Sequence, residues 1–317
     1  MRICSLLPSA TEIAFALGLG DEIVGVTHEC DYPPEAKEKR VVVKSAIDSE
    51  KLASRDIDES VQRHVRERKG IYAIDLLRFR AANPDYIITQ DLCDVCALDY
   101  HEVMEAVKWL TAPPKIVSLA PTRLADVLRD IERIGVSAGK QVAANELVRR
   151  LGERIERVRE RASRARSRPR VVCIEWLDPL YSAGHWVPEM VELAGGVDGL
   201  GKKGKPSEEI AWETVREFAP EVIVLMPCGF DVARTLRELP SVQDRPGWGK
   251  LPAVKAGRVF AVNGSAYFNR PGPRLVDGLE ILAQIVHPEI FSSRPPLEAA
   301  QQLSRQAAVS SKQQTDV

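Results

Sequence analysis

The chain has 317 residues, 44% of them hydrophobic and 28% charged, with 20 Gly and 21 Pro. That is the composition of a globular protein of about two domains, and it excludes a disulfide-stapled miniprotein, a disordered chain and a fibre. A formal charge of −1 provides no global pull toward nucleic acid or an anionic membrane. No run of about 18 apolar residues offers a membrane span.

The segment Met1 to Pro8 has neither the apolar core of about 7–15 residues nor the cleavage site of a secretory leader. The expected location is cytoplasmic, or periplasmic if a leader has been removed. Six cysteines in a chain of this size fit a reducing compartment, where neighbouring thiols point to metal or redox chemistry more often than to structural disulfides.

In chain order, Arg2 to Leu7 reads as a strand. It runs into Ser9-Ala10-Thr11-Glu12, a capping box that predicts a helix starting at Ser9. The helix ends at Leu17-Gly18-Leu19-Gly20, and strands follow over Glu22 to Thr27 and Val41 to Val43. Helices are expected over Ile57 to Lys69 and Ile74 to Ala82, and strands over Tyr86 to Thr89 and Ile116 to Leu119. Apolar strands alternating with amphipathic helices predict a parallel sheet covered on both faces.

Residues 121–168 read as one connector helix: from Leu124 to about Ala165, Val127, Leu128, Ile131, Ile134, Leu147, Leu151, Ile155 and Val158 stand at helical spacing with no Pro inside. Ten Arg between Arg149 and Arg170 could form a nucleic-acid stripe or a solvated face paired with Glu153, Glu156 and Glu160; the solvated face is the reading taken, and no nucleic acid is expected as a partner. Beyond Pro169 the alternation restarts. Strands are expected over Val171 to Ile174, Val222 to Met226 and Val259 to Val262, with helices over Pro188 to Ala194, Ile210 to Phe218 and Pro273 to Val286.

The fold class that follows is α/β, two parallel-sheet lobes joined by one long connector helix, with a ligand cleft between the lobes. The expected division is an N-terminal lobe over 1–120, the connector over 121–168, a C-terminal lobe over 169–291 and a disordered tail over 292–317.

In parallel sheets, ligands bind outside the carboxyl ends of the strands, where loops and helix starts expose free N–H groups. The segments expected there carry Ser9 and Thr11, then His28, Cys30 and Tyr32, then Cys93 and Cys96, and in the second lobe Trp176, Tyr181, His185, Trp186, Cys228, Tyr267 and Phe268. The aromatic members suit a large, mostly apolar ligand or the packing of the lobes. Cys30, Cys93, Cys96 and Cys228 are a candidate soft-metal set for zinc or an iron–sulfur cluster, or small residues at tight strand exits. Cys4 and Cys173, inside strand patterns, read as core. No Walker A loop, nucleophile elbow or zinc-protease motif occurs, and no catalytic residue is assigned.

The start Ile3-Cys4-Ser5-Leu6-Leu7-Pro8-Ser9-Ala10-Thr11-Glu12-Ile13 resembles class III substrate-binding proteins for cobalamin and iron–siderophores. So do Ile23-Val24-Gly25-Val26-Thr27, Trp248-Gly249-Lys250-Leu251-Pro252 through Val259, and Pro271-Gly272-Pro273-Arg274 through Glu280. The likeness covers about residues 1–290, and within it the chain looks like the cobalamin-binding branch, in a subgroup without export signals. The resemblance implies a corrinoid such as cobalamin held between the lobes and, in transporting members, delivery to an ABC importer. It also implies a docking carboxylate, for which Glu102 or Glu105 is the candidate in the first lobe. A monomer is expected. The alternative function is a cytosolic thiolate metal or iron–sulfur protein, with or without enzymatic activity, on the same scaffold.

Overall fold

A computed structural model describes residues 1–67, 69–90 and 100–303. The chain divides into two compact units, one made of Met1–Pro121 with Ala125–Arg150, the other of Thr122–Leu124 with Leu151 onward. The boundary therefore falls inside a helix after Arg150, and 121–168 is not a separate connector.

In the first unit the apolar runs form β1 (Ile3–Ser5), β2 (Ile23–Thr27), β3 (Val41–Ser45), β4 (Tyr72–Ile74), β5 (Tyr86–Gln90) and β6 (Lys115–Leu119). Their order across the sheet is β4-β3-β2-β1-β5-β6. Every pairing is parallel except β3 with β4. Successive strands run outward from β1 on one side and then start again beside it at β5, so the topological switch point lies between β1 and β5. Ile74, expected in a helix, belongs to the antiparallel edge strand, where pairing with Val43 wins over helical spacing. The helices are α1 (Pro8–Ala16), α2 (Ser54–Arg66), α3 (Leu76–Ala82), α4 (Tyr100–Val107), α5 (Leu124–Ser137) and α6 (Gln141–Ala162). Phe79 and Ala82 of α3 and Val103 and Ala106 of α4 close one core with Cys4, Val42, Val43 and Ile87.

Two local expectations fail for identifiable reasons. Pro8 occupies the first turn of α1, with Leu7 as the preceding cap and no side-chain capping bond. Ser9 lies within the helix, so its hydroxyl is not placed to cap the free amides. The stretch expected as one connector helix is two. Gly139 takes φ +71° between α5 and α6, and a Cβ on Gly135 would stand 2.2 Å from that of Ala144. The two glycines thus supply the left-handed turn and the close approach of the two helix ends at the break between α5 and α6.

The second unit contains β7 (Arg170–Trp176), β8 (Tyr181–Ser182), β9 (Val197–Asp198), β10 (Glu208–Glu209), β11 (Val222–Leu225), β12 (Val259–Val262) and β13 (Ala300–Gln302). The order is β10-β8-β7-β11-β12-β13, with β9 also beside β7. The centre is parallel and β8, β10 and β13 add antiparallel pairings. Its helices are α7 (Val187–Leu193), α8 (Trp212–Phe218), α9 (Val232–Glu238), α10 (Pro240–Gln243), α11 (Pro252–Ala256), α12 (Gly264–Tyr267) and α13 (Leu275–Val286). Trp212 stacks on the buried Trp248 at 6.0 Å, in a core that also holds Val172, Ile174, Ile223, Leu225 and Val259.

The segment expected as a tail from residue 292 is part of this unit as far as it is described. β13 pairs Phe260 with Gln302, Ala261 with Gln301 and Val262 with Ala300, and Leu303 enters the core. Burial of Ala299, Ala300 and Leu303 together with the strand ladder offsets the polarity that makes the segment read as disordered. On the Arg-rich stretch, Arg149 pairs with Glu146, Arg159 with Glu156, and Arg154 with Asp277 and Glu280 of α13. Among the described residues no helix is long and apolar enough to cross a membrane.

Candidate functional site

In the first unit the polar residues beyond β1 and β2 turn inward. Thr11 is fully buried, its hydroxyl 2.8 Å from Ser5 Oγ and 3.1 Å from Cys30 Sγ. Thr27 Oγ1 lies 3.3 Å from the same sulfur, so the buried Cys30 thiol sits within an internal hydroxyl cluster. Ser9 is equally buried, and among the described residues its Oγ has no hydrogen-bond partner. His28 and Tyr32 reach the surface instead. The His28 side chain is 34% exposed, with Nε2 4.0 Å from Glu29 Oε1 and its ring 6.1 Å from that of Tyr72. The Tyr72 hydroxyl donates to the same Glu29 oxygen at 3.4 Å. Tyr32 is exposed. Cys93 and Cys96 lie outside the described residues.

In the second unit, Trp176 ends β7 and faces Tyr181 in the ladder with β8. Both are partly exposed. Phe230 backs Trp176, ring centroids 5.3 Å apart, and the Arg234 guanidinium lies 4.8 Å from the Phe230 ring centroid. Arg234 is paired with Glu238 at 2.9 Å. Asp231 fixes the start of α9 by accepting from the Arg234 amide at 2.7 Å. The partly exposed Cys228 follows β11, and its N–H donates to the Glu175 carbonyl at 3.1 Å. Tyr267 is partly exposed, with the Arg274 guanidinium 5.7 Å from its ring centroid.

Trp186 and Phe268 are core residues, 5% and 1% exposed. The Trp186 Nε1–H donates to the Phe268 carbonyl at 2.8 Å, which satisfies the one polar group the indole brings into the interior. His185 lies on Trp186, ring centroids 5.4 Å apart and 30° from parallel, and is half-buried. Burial holds its imidazole below the usual histidine range, so the ring is neutral at pH 7.

Burial pushes the Cys4 thiol up to about 12, against the opposing pull of Arg2 and Arg40. It raises Cys173 as well, where Asp198 and Glu175 add to the effect. Both are packed, protonated thiols without nucleophilic character. Among the described residues, no group of three or more His, Cys, Asp or Glu is arranged to hold a metal ion.

Sequence reasoning places Phe230 at the exit of the strand over Val222 to Met226 without assigning it to the site, and does not assign Tyr72 or Arg274 to the site. Tyr72 is hidden by the helical reading of its neighbour Ile74.

The periplasmic binding protein family profile matches residues 3–266. The chain belongs to that family. An ABC transporter substrate-binding lipoprotein of Bacillus subtilis, YvrC, is 27% identical over 297 residues, which is 92% of this chain and 81% of the relative. A vitamin B12-binding protein of Vibrio cholerae is 26% identical over 282 residues, 88% and 86% of the two chains. Two solved structures share the fold. The vitamin B12-binding protein BtuF of Vibrio cholerae superposes with a TM-score of 0.65 at 22% identity, over 92% of this chain and 98% of that one. The heme-binding protein RhuT of Roseiflexus sp. RS-1 does so with 0.67 at 21% identity, over 90% and 97%.

Proposed function

We propose that this periplasmic binding protein family member binds a corrinoid, cobalamin or a close relative, and passes it to an ABC-type importer. The observation that carries the reading is the pair Trp176 and Tyr181, two partly exposed aromatic side chains opposite each other at the end of β7, with Phe230 and Arg234 behind the first. A fixed aromatic surface at a strand end suits a large ligand with an apolar edge and a rigid ring, because such surfaces lose little side-chain entropy on binding. The relatives named for vitamin B12 and for ABC transport favour a corrinoid over other large ligands.

A heme is the second reading, since neighbours that share the fold are heme-binding proteins. Both ligands are flat, metal-holding macrocycles that aromatic walls accommodate. Calorimetric titration of the full chain with cyanocobalamin and, separately, with hemin tests the choice. The corrinoid reading requires saturable one-to-one binding of cyanocobalamin in the micromolar range or tighter, and fails if only hemin binds.

A further inference from the structure

We infer, on the reading that the cargo lies on Trp176 and Tyr181, that Glu209 sets which macrocycle is accepted, its carboxylate favouring a rim of neutral amides and opposing a rim of carboxylates. In the antiparallel ladder Tyr181 of β8 stands between Trp176 of β7 on one side and Glu209 of β10 on the other. Directly opposed residues on neighbouring strands point to the same face, with Cβ atoms about 4.5–5.5 Å apart. Trp176, Tyr181 and Glu209 therefore form one row across three strands, two partly exposed aromatics ended by an exposed carboxylate.

The row depends on one irregularity in β7. Ile174 pairs with Ser182, and the register then shifts so that Trp176 meets Tyr181. Regular alternation would put Trp176 on the side of Ile174, which belongs to the core. The bulge turns the indole to the other side, next to Tyr181, as bulges do where a strand re-aims a side chain.

β10 is fixed on both sides of Glu209. The Ile210 N–H donates to the Leu180 carbonyl at 2.8 Å, and the Ser207 hydroxyl accepts from the Gly184 N–H at 3.1 Å. Glu208 alternates to the opposite face and pairs with Lys202 at 2.5 Å. The Arg234 guanidinium behind Phe230 is paired with Glu238, and Glu175, in the bulge, adds a second carboxylate, which accepts from the Gly184 N–H at 3.4 Å. The edge of the aromatic row is thus negative.

Flat macrocycles that fit the same aromatic surface differ most at the rim. A corrinoid carries primary carboxamides, whose N–H groups donate to a carboxylate in charge-assisted hydrogen bonds. Heme carries propionates, which the same carboxylate repels, and such a repulsive element separates two cargoes that shape alone does not.

The test uses cyanocobalamin and its monocarboxylic acids, in which one rim amide is hydrolysed, so that the probes share a macrocycle and differ by one charge at pH 7. In calorimetric titrations the full chain is expected to bind at least one acid isomer about threefold or more weakly than cyanocobalamin, the scale of a like-charge contact near the surface. Glu209→Gln should remove that preference and Glu209→Lys should reverse it, whereas Glu208→Gln, on the opposite face, should keep it. Salt at about 1 M, which screens charges beyond roughly 3 Å, should flatten the preference of the parent. A parent that binds cyanocobalamin and every acid isomer equally, or a Glu209→Gln variant that keeps the parent's preference, overturns the assignment while leaving corrinoid binding intact. Failure of the parent to bind cyanocobalamin overturns the reading on which it rests.

Discussion

The indole of Trp186 donates its N–H to the Phe268 carbonyl at 2.8 Å while its face carries His185. One buried aromatic thus joins the start of α7 to the end of α12 and supports a surface histidine. Trp186→Phe keeps an aromatic ring and removes the donor, leaving a buried carbonyl unsatisfied. The expected cost is about 1–3 kcal/mol of unfolding free energy, measured by urea denaturation. A variant as stable as the parent would show that the bond contributes nothing.

Leu303 extends the core of the second unit beyond the point where the sequence turns polar. Leu303→Ala should destabilise the protein by about 2–5 kcal/mol, the range for emptying a buried leucine site. Deleting the chain from Ala299 onward removes β13 as well and should cost more. Melting curves of both variants check the order, and a deletion no less stable than the parent would return this segment to the status of a tail.

Trp176 is the aromatic residue on which the ligand proposal leans most. Trp176→Ala should weaken cyanocobalamin binding about tenfold or more, as expected from roughly 1.5–3 kcal/mol of lost apolar burial, and Trp176→Phe should weaken it less. Titration calorimetry gives both constants. Unchanged affinity in the alanine variant would place the ligand elsewhere.

Asp198 is a carboxylate whose burial raises it above its ordinary value of 3.8, against the N–H groups of Gly201 and Leu200 from which its Oδ1 accepts. As pH rises, the unfolded chain ionises first, so the folded state loses stability between the ordinary value and the raised one. Asp198→Asn keeps an acceptor for the two amides and removes the titration. The melting temperature of the variant relative to the parent should therefore climb from about pH 4 to pH 7. A constant difference across that range would show that Asp198 does not carry this pH dependence.

The parallel core is legible because Val222–Leu225 and Val259–Val262 are unbroken apolar runs between turn residues, and such runs have no other stable home in a chain of this size. β13 is not legible, because Ala300–Gln302 is short and carries two glutamines, and an edge strand needs only one paired side and one buried face. The break at Gly139 is hidden because a glycine is tolerated within a helix, and its left-handed φ and the close approach of Gly135 to Ala144 are visible only in three dimensions. At the candidate site, the residue types are readable and their direction is not. Trp176 and Trp186 both follow strand patterns, yet one remains partly exposed and the other is buried by a hydrogen bond to a carbonyl 82 positions away. Thr11 and Cys30 likewise point into each other, a choice made by tertiary packing that no spacing encodes.

The most direct test of corrinoid recognition is native mass spectrometry of the full chain incubated with an equimolar mixture of cyanocobalamin and hemin. A one-to-one complex at the mass of the chain plus the corrinoid, outcompeting hemin, is the expected result. A complex with hemin alone, or unliganded protein at ligand concentrations of about a hundred micromolar, would contradict it.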